Sequence, residues 1–292
     1  MSFTARPLST HLGVEITGID LAGAPGDNTV AALRSAWLEH GGLMVVRDQK
    51  HLSTEDHIAI SKTFGPLFGA PDQPPLQDTV SRYIHPDYPE IYRVSNKFDA
   101  NGEPLGRKGA GTYWHSDVSF REAPASASIL RAIEIPPIGG DTIFANMTKA
   151  FDDLSEAMKT LLRPLRAVHD FEVAAYTQYA KPIVVEDDLT GANRAAHPLV
   201  RTHAETGAES LYVNPGFTSH VEGFDSDESR WLLEPLYAHA TRPEYLYRHN
   251  WREGDMLVWD NRSLMHYAVA DYYPAYRCMN RVTVVHDRRV PN

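Results

Sequence analysis

Residues Trp114 to Ala145 read WHSDVSFREAPASASILRAIEIPPIGGDTIFA, and this stretch decides the fold. It predicts three strands, Trp114 to Phe120, Ser126 to Ile135 and Asp141 to Ala145, with Pro136 and the pair Gly139-Gly140 breaking the chain between the last two. A helix is expected from about Phe151 to Leu165. Further on, Leu211 to Asn214, Tyr245 to Asn250, Met256 to Asp260 and Arg281 to His286 read as strands, with a helix from about Ser226 to Ala240. Towards the N-terminus, Leu12 to Leu21 alternates apolar and polar residues through Val14, Ile16 and Ile19, and Gly42 to Arg47 is a short apolar run. Helices are expected over about Val30 to His40 and from Ser53 to Phe64, the second opened by a capping box of Ser53 with Asp56. Many strands and few helices predict a mainly β fold, a closed or sandwiched core with helices packed outside it.

The chain has 292 residues, 42% of them hydrophobic, with no repeat, low-complexity tract or Gly/Ser linker, so one domain spanning 1–292 is expected. A net charge of -10 without a block of Lys and Arg argues against a nucleic-acid partner. Cys278 is the only cysteine, so no intrachain disulfide can form, which suits a reducing compartment. Met1 to Leu12 lacks the basic start and apolar core of a signal peptide, and no apolar run approaches membrane-span length. A cytoplasmic protein with no membrane partner is expected. Pro66, Pro71, Pro74 and Pro75 break regular structure, and Asp99 to Gly111 reads either as a lid over a site or as a solvated connection.

Within the opening stretch, His115 and Asp117 are two residues apart; on a strand they share a face and can converge on one ion. Two imidazoles and one carboxylate leave open positions on a redox-active iron, so a second histidine must come from elsewhere. The pattern alone is unspecific: His85-Pro86-Asp87 matches it and His203-Ala204-Glu205 matches a variant. Both of these read as exposed loops, one interrupted by proline and the other running into Thr206-Gly207. His115 is set apart by its downstream company: Gly139-Gly140-Asp141-Thr142, then Trp259-Asp260-Asn261 through His266 to Arg277. An arginine suits a distant carboxylate, because its planar guanidinium offers paired donors and keeps its charge when partly desolvated.

On these residues, together with Leu12 to Leu21, Phe64-Gly65-Pro66-Leu67 and Gly254-Asp255, the chain resembles the alpha-ketoglutarate-dependent oxygenases of the taurine dioxygenase and 2,4-dichlorophenoxyacetate dioxygenase family over nearly its whole length. The resemblance implies a double-stranded β-helix, or jelly-roll, core. It implies His115, Asp117 and His266 as Fe(II) ligands, Thr142 and Arg277 as holders of the far carboxylate of the cosubstrate 2-oxoglutarate, and Arg281 as a contact for a substrate's acidic group. An ion pair or a contact to the cosubstrate remains open for Arg281. The implied reaction consumes O2 and 2-oxoglutarate, releases succinate and carbon dioxide, and hydroxylates a small organic acid, with fragmentation where the hydroxyl lands beside sulfur, oxygen or nitrogen. A homo-oligomer, dimer or tetramer, is expected from the same likeness.

Two positions depart from the taurine pattern: Ala70 stands where the taurine enzyme has a histidine, and Gly111 stands near its asparagine, so taurine is expected to be a poor substrate. Asp117 argues against a halogenase, which usually lacks that carboxylate. The same triad would also serve a zinc hydrolase, though that gives Thr142 and Arg277 no role, and a non-catalytic acid-binding protein would not need an intact triad. His169, His197 and His220 read as structural, Trp259, Phe217 and Val118 as core, and Cys278 as a small buried hydrophobe.

Overall fold

The computed structural model describes residues 3–75, 83–173 and 193–285. The first strands in chain order are β1 (Thr4–Pro7), β2 (Val14–Thr17), β3 (Leu43–Val46), β4 (Tyr92–Ser95), β5 (Ala125–Glu134), β6 (Thr142–Asn146), β7 (Arg166–Asp170) and β8 (Arg194–Pro198). They are followed by β9 (Val200–Thr202), β10 (Glu209–Leu211), β11 (Thr218–Val221), β12 (Leu246–His249), β13 (Met256–Asp260), β14 (Leu264–Ala268) and β15 (Cys278–Val285).

A large sheet runs β1-β2-β3-β13-β5-β15-β4, antiparallel throughout except where β2 meets β3. Its middle strands, LMVV in β3 and MLVWD in β13, are buried at every position because both faces are covered. Alternate side chains go opposite ways. Leu43, Val45, Leu130, Leu257 and Trp259 meet Phe144 and Leu264 from the small sheet β12-β6-β14. Met44, Val46, Ile129 and Val258 meet Leu33 and Trp37 of the helix Asp27–Glu39, and Ile58 and Ile60 of the helix Thr54–Lys62. Behind the small sheet, Ala145 and Met265 pack against Phe151, Leu162 and Leu236 from further helices. Two facing sheets flanked by helices make the jelly-roll core. Each buried Leu, Val or Phe contributes roughly 1.5–3 kcal/mol.

Local signals placed several elements where the sequence predicts them. Ser53 Oγ accepts from Asp56 N at 3.0 Å and Asp56 Oδ2 accepts from Ser53 N at 2.9 Å, closing the expected capping box. The helix Ser226–Ala240 opens with the same device, Asp225 with Glu228. Four expectations are corrected. Trp114 to Phe120 is no strand: a single bridge at His115 pairs with His266, and the chain then turns. The helix expected over Phe151 to Leu165 is two short ones, Met147–Asp152 and Glu156–Leu162, because Ser155 caps a fresh start. Within Leu12 to Leu21 only Val14–Thr17 is strand, and within Leu211 to Asn214 only Leu211. His286, the expected end of the last strand, lies outside the described residues. Among those residues no helix is long and apolar enough to cross a membrane.

Candidate metal centre

β14 carries His266, and main-chain bonds lock the HxD segment onto it: His115 N donates to His266 O at 3.1 Å, and His266 N to His115 O at 2.8 Å. The two rings lie 4.1 Å apart between centroids. His115 Nδ1 bonds to Tyr113 O at 2.8 Å, which orients Nε2 inward. Asp117 reaches the same point through a turn rather than a strand. Val118, immediately after it, adopts φ 57°, a left-handed conformation costly for a β-branched residue and typical of strained functional turns. Asp117 Oδ1 stands 3.6 Å from His115 Nε2 and Asp117 Oδ2 3.9 Å from His266 Nε2. One ligand atom from each of the three residues lies within 4.8 Å of the others, and all three side chains are buried.

Burial raises the Asp117 carboxyl, but the opposing charges around it, the Arg281 guanidinium foremost, outweigh it and hold it well below the usual carboxylate range. Burial and the neighbouring His115 push His266 well below its ordinary value, so its imidazole is neutral. An ionised carboxylate and a neutral imidazole are protonation states that bind a divalent cation. The donor set therefore fits iron(II).

Thr142, His266, Trp259, Arg277 and Arg281 line one cavity of about 430 Å³ beside the centre. Arg277 is buried, its Nε donates to Gly140 O at 3.1 Å, and its Nη2 has no partner among the described residues. Gly140 has φ +73°, and a Cβ there would meet Arg277 Cδ at 3.2 Å, which is why the expected Gly139-Gly140 pair precedes Thr142. Trp251 Nε1 donates to Thr142 Oγ1 at 3.0 Å. Burial pushes Arg277 down from its ordinary value, a cost that an anion in this cavity offsets.

A second cavity of about 580 Å³ meets the first at His115, Ala110, Gly111 and Arg281. Its wall is aromatic, with Phe68, Tyr92, Tyr113, Phe120, Phe171 and Phe217, and its cations are Arg107, Arg121 and Arg281. Arg281 Nη1 donates to Asp117 Oδ1 at 2.5 Å, and its Nε has no partner among the described residues. The Asp99 to Gly111 segment contributes Arg107, Ala110 and Gly111 to the walls. Gly111 has φ +75°, and a Cβ on it would come within 2.9 Å of His115 Cε1. Ala70 packs instead against the core beneath the large sheet.

One of the two rival motifs is placed differently from its reading as an exposed loop. His203 is buried, its Nε2 3.0 Å from Asp260 Oδ2, and Glu205 pairs with Arg34 and Arg262. The other stays in a loop, where His85 Nδ1 accepts from Asp87 N at 3.2 Å. His169 bonds to Ser119 Oγ and Tyr212 O, His197 to Arg121 O and His220 to Ser219 Oγ. Trp259 is core and also lines the first cavity, Phe217 and Val118 line the second, and Cys278 is half-buried. Sequence reasoning missed the aromatic wall, whose members are scattered from Phe68 to Phe217 without a shared spacing.

Two imidazoles and a carboxylate converging inside a jelly roll define the facial-triad class of non-haem iron enzymes. The chain belongs to the taurine catabolism dioxygenase TauD, TfdA family, whose sequence pattern matches residues 4–283. It is 34% identical to an alpha-ketoglutarate-dependent 2,4-dichlorophenoxyacetate dioxygenase of Cupriavidus pinatubonensis over 98% of this chain and 99% of that one. It is also 34% identical to an alkylsulfatase of Acinetobacter baylyi over 96% and 84% of the respective chains. The structure of a taurine dioxygenase from Burkholderia xenovorans superposes with a TM-score of 0.79 at 34% identity, covering 98% of this chain and 90% of that one. The protein is thus an alpha-ketoglutarate-dependent dioxygenase, an oxidoreductase using Fe(II) and 2-oxoglutarate.

Proposed function

We propose that His115, Asp117 and His266 hold the iron, that Thr142 and Arg277 hold the far carboxylate of 2-oxoglutarate, and that the second cavity receives an organic acid with a bulky apolar body, its acidic group meeting Arg281. The observation that carries this reading is the junction of two cavities at the triad, one with a buried, partly unpartnered arginine and the other with an aromatic wall. Bound iron supplies the redox chemistry that couples loss of carbon dioxide from 2-oxoglutarate to hydroxylation of the substrate. The chain's part is to position and to exclude water. Arg277 grips one end of the cosubstrate with paired donors, and Thr142 adds a hydroxyl. The aromatic wall desolvates the substrate body, and Arg281 sets which carbon faces the centre.

Alkyl sulfates, larger alkylsulfonates and aryloxyalkanoates have that shape, and the names of two relatives, the alkylsulfatase and the 2,4-dichlorophenoxyacetate dioxygenase, support the choice. Taurine is small, and neither Ala70 nor Gly111 offers its sulfonate a side-chain donor. A single cytoplasmic domain, assembled as a dimer or tetramer, completes the reading and is checked by light scattering and fractionation.

The test is succinate formation from 2-oxoglutarate by anaerobically iron-loaded protein exposed to air, with a panel of these acids and taurine, and Asp117→Ala alongside. Substrate-dependent succinate in wild type alone, greatest with the bulkier acids, is expected. Equal or better turnover of taurine would overturn the substrate assignment, and activity in Asp117→Ala would overturn the ligand set.

A further inference from the structure

Asp117, Ser128 and Asn261 form a closed hydrogen-bond circuit, to which Trp259 adds one more bond. Ser128 Oγ lies 2.7 Å from Asp117 Oδ2, and Asn261 Nδ2 lies 3.0 Å from Ser128 Oγ. Asp117 N and Trp259 Nε1 both approach Asn261 Oδ1, at 3.2 and 3.0 Å. Ser128, Trp259 and Asn261 are all fully buried or nearly so.

The direction of every bond follows from chemistry. A main-chain N–H and an indole N–H can only donate, so the Asn261 atom they share is its carbonyl oxygen. The other amide atom is then the NH2 group, and it donates to Ser128. With that lone pair taken, the Ser128 hydroxyl is free to send its own hydrogen to Asp117 Oδ2. Asp117 is thus held twice by one asparagine, at the backbone directly and at the side chain through Ser128.

We infer that Asn261 is a positioning residue of the metal centre, acting through Ser128 to keep Asp117 Oδ2 hydrogen-bonded and the carboxylate turned towards the two imidazoles. Oδ1 accepts from Arg281 Nη1 and lies 3.6 Å from His115 Nε2, while Oδ2 lies 3.9 Å from His266 Nε2. The turn that carries Asn261 is fixed in its own right. Arg262 grips Asp260 with Nε and Nη2, at 2.8 and 2.6 Å, and Glu205 with Nη1 at 2.9 Å. Five residues beyond Asn261 stands His266, so one short segment sets both the second imidazole and the carboxylate. Groups that orient a ligand in this way typically change metal affinity about 10- to 100-fold when removed.

The inference rests on Asp117 being a ligand, and the experiment separates the two. Mn(II) is titrated into full-length wild type, Ser128→Ala, Ser128→Thr, Asn261→Ala and Asp117→Ala, with free Mn(II) read by paramagnetic resonance and melting temperature recorded without metal. Ser128→Ala is expected to melt within a few degrees of wild type yet bind Mn(II) about 10-fold or more weakly. Ser128→Thr restores the donor and is expected to recover most of that loss, which a mere packing defect would not. Asn261→Ala is expected to lose at least as much affinity; should it not fold, the Ser128 pair decides alone. Mn(II) affinity of Ser128→Ala within twofold of wild type, with binding abolished in Asp117→Ala, would overturn this inference but leave the ligand set standing. Undiminished binding by Asp117→Ala would overturn the ligand set itself.

Discussion

Trp251 Nε1 donates to Thr142 Oγ1 at 3.0 Å, so the indole occupies an acceptor site of the hydroxyl and leaves its hydrogen available to the cavity shared with Arg277. Trp251 is a ring's depth from Arg277 as well, 5.8 Å between guanidinium carbon and ring centroid. Trp251→Phe keeps most of the packing and removes the N–H. A net hydrogen bond of about 1 kcal/mol predicts a roughly fivefold rise in KM for 2-oxoglutarate with kcat nearly unchanged. Steady-state kinetics with 2-oxoglutarate varied would show it; an unchanged KM would remove Thr142 from the cosubstrate site.

Gly140→Ala attacks the proposed carboxylate site from the backbone. The new Cβ meets Pro136 Cγ at 3.1 Å and Arg277 Nε at 3.3 Å, at a φ of +73° that alanine tolerates poorly. A stability loss of about 1–2 kcal/mol by denaturant titration is expected from the left-handed backbone. Displacement of Arg277 adds weaker 2-oxoglutarate binding, seen by calorimetry of the Mn(II)-loaded protein.

Arg281→Gln removes the cation between Asp117 and the aromatic cavity and leaves a shorter, neutral amide. We expect kcat/KM for the best acid of the panel to fall by roughly 100-fold, the loss of a charge-assisted contact worth about 2–3 kcal/mol. Oxidative decarboxylation of 2-oxoglutarate without substrate should persist. Loss of both together would instead assign Arg281 to the iron–cosubstrate assembly.

His57 lies buried against the large sheet, its Nε2 3.3 Å from Ile129 O, and burial with the nearby Arg131 charge pushes it from 6.5 down to about 3. Its folded value is below its unfolded one, so the unfolded chain binds the extra proton. The stability it confers is whole above pH 6.5 and is lost as pH falls towards 3, by up to ~1.4 kcal/mol per unit. Between pH 7 and 5, His57→Gln is therefore expected to lessen the loss of unfolding free energy by ~2 kcal/mol, measured by urea titration at both values. His169, also lowered to about 3 by burial, acts in the same direction.

Arg262→Met would leave Asp260 buried without its guanidinium, with His203 as its remaining side-chain partner. A destabilisation of about 3–5 kcal/mol is expected, read as a fall in melting temperature. Asp260→Asn together with Arg262→Met should recover part of it, because the uncompensated charge is gone.

Much of this protein was determined by local pattern. MLVWD over Met256–Asp260 is apolar at every position because a strand covered on both faces needs it, and Ser53 with Asp56 marks a helix start within four residues. His115, Asp117, His266, Thr142 and Arg277 stood out together in the sequence, and the fold brings the first three to one point with Thr142 and Arg277 lining the cavity beside it. What tertiary structure alone decided depends on contacts between distant parts of the chain. The segment after His115 turns rather than extends, because His266, 151 residues on by the numbering, pairs with His115 alone and Asn261 draws in the Asp117 amide. His203 is buried, not exposed, because its partner Asp260 sits on a strand 57 residues away. The aromatic cavity gathers Phe68, Tyr92, Phe171 and Phe217 from separate elements. Side-chain periodicity reports which face of its own element a residue occupies; it carries no record of which other element that face will meet.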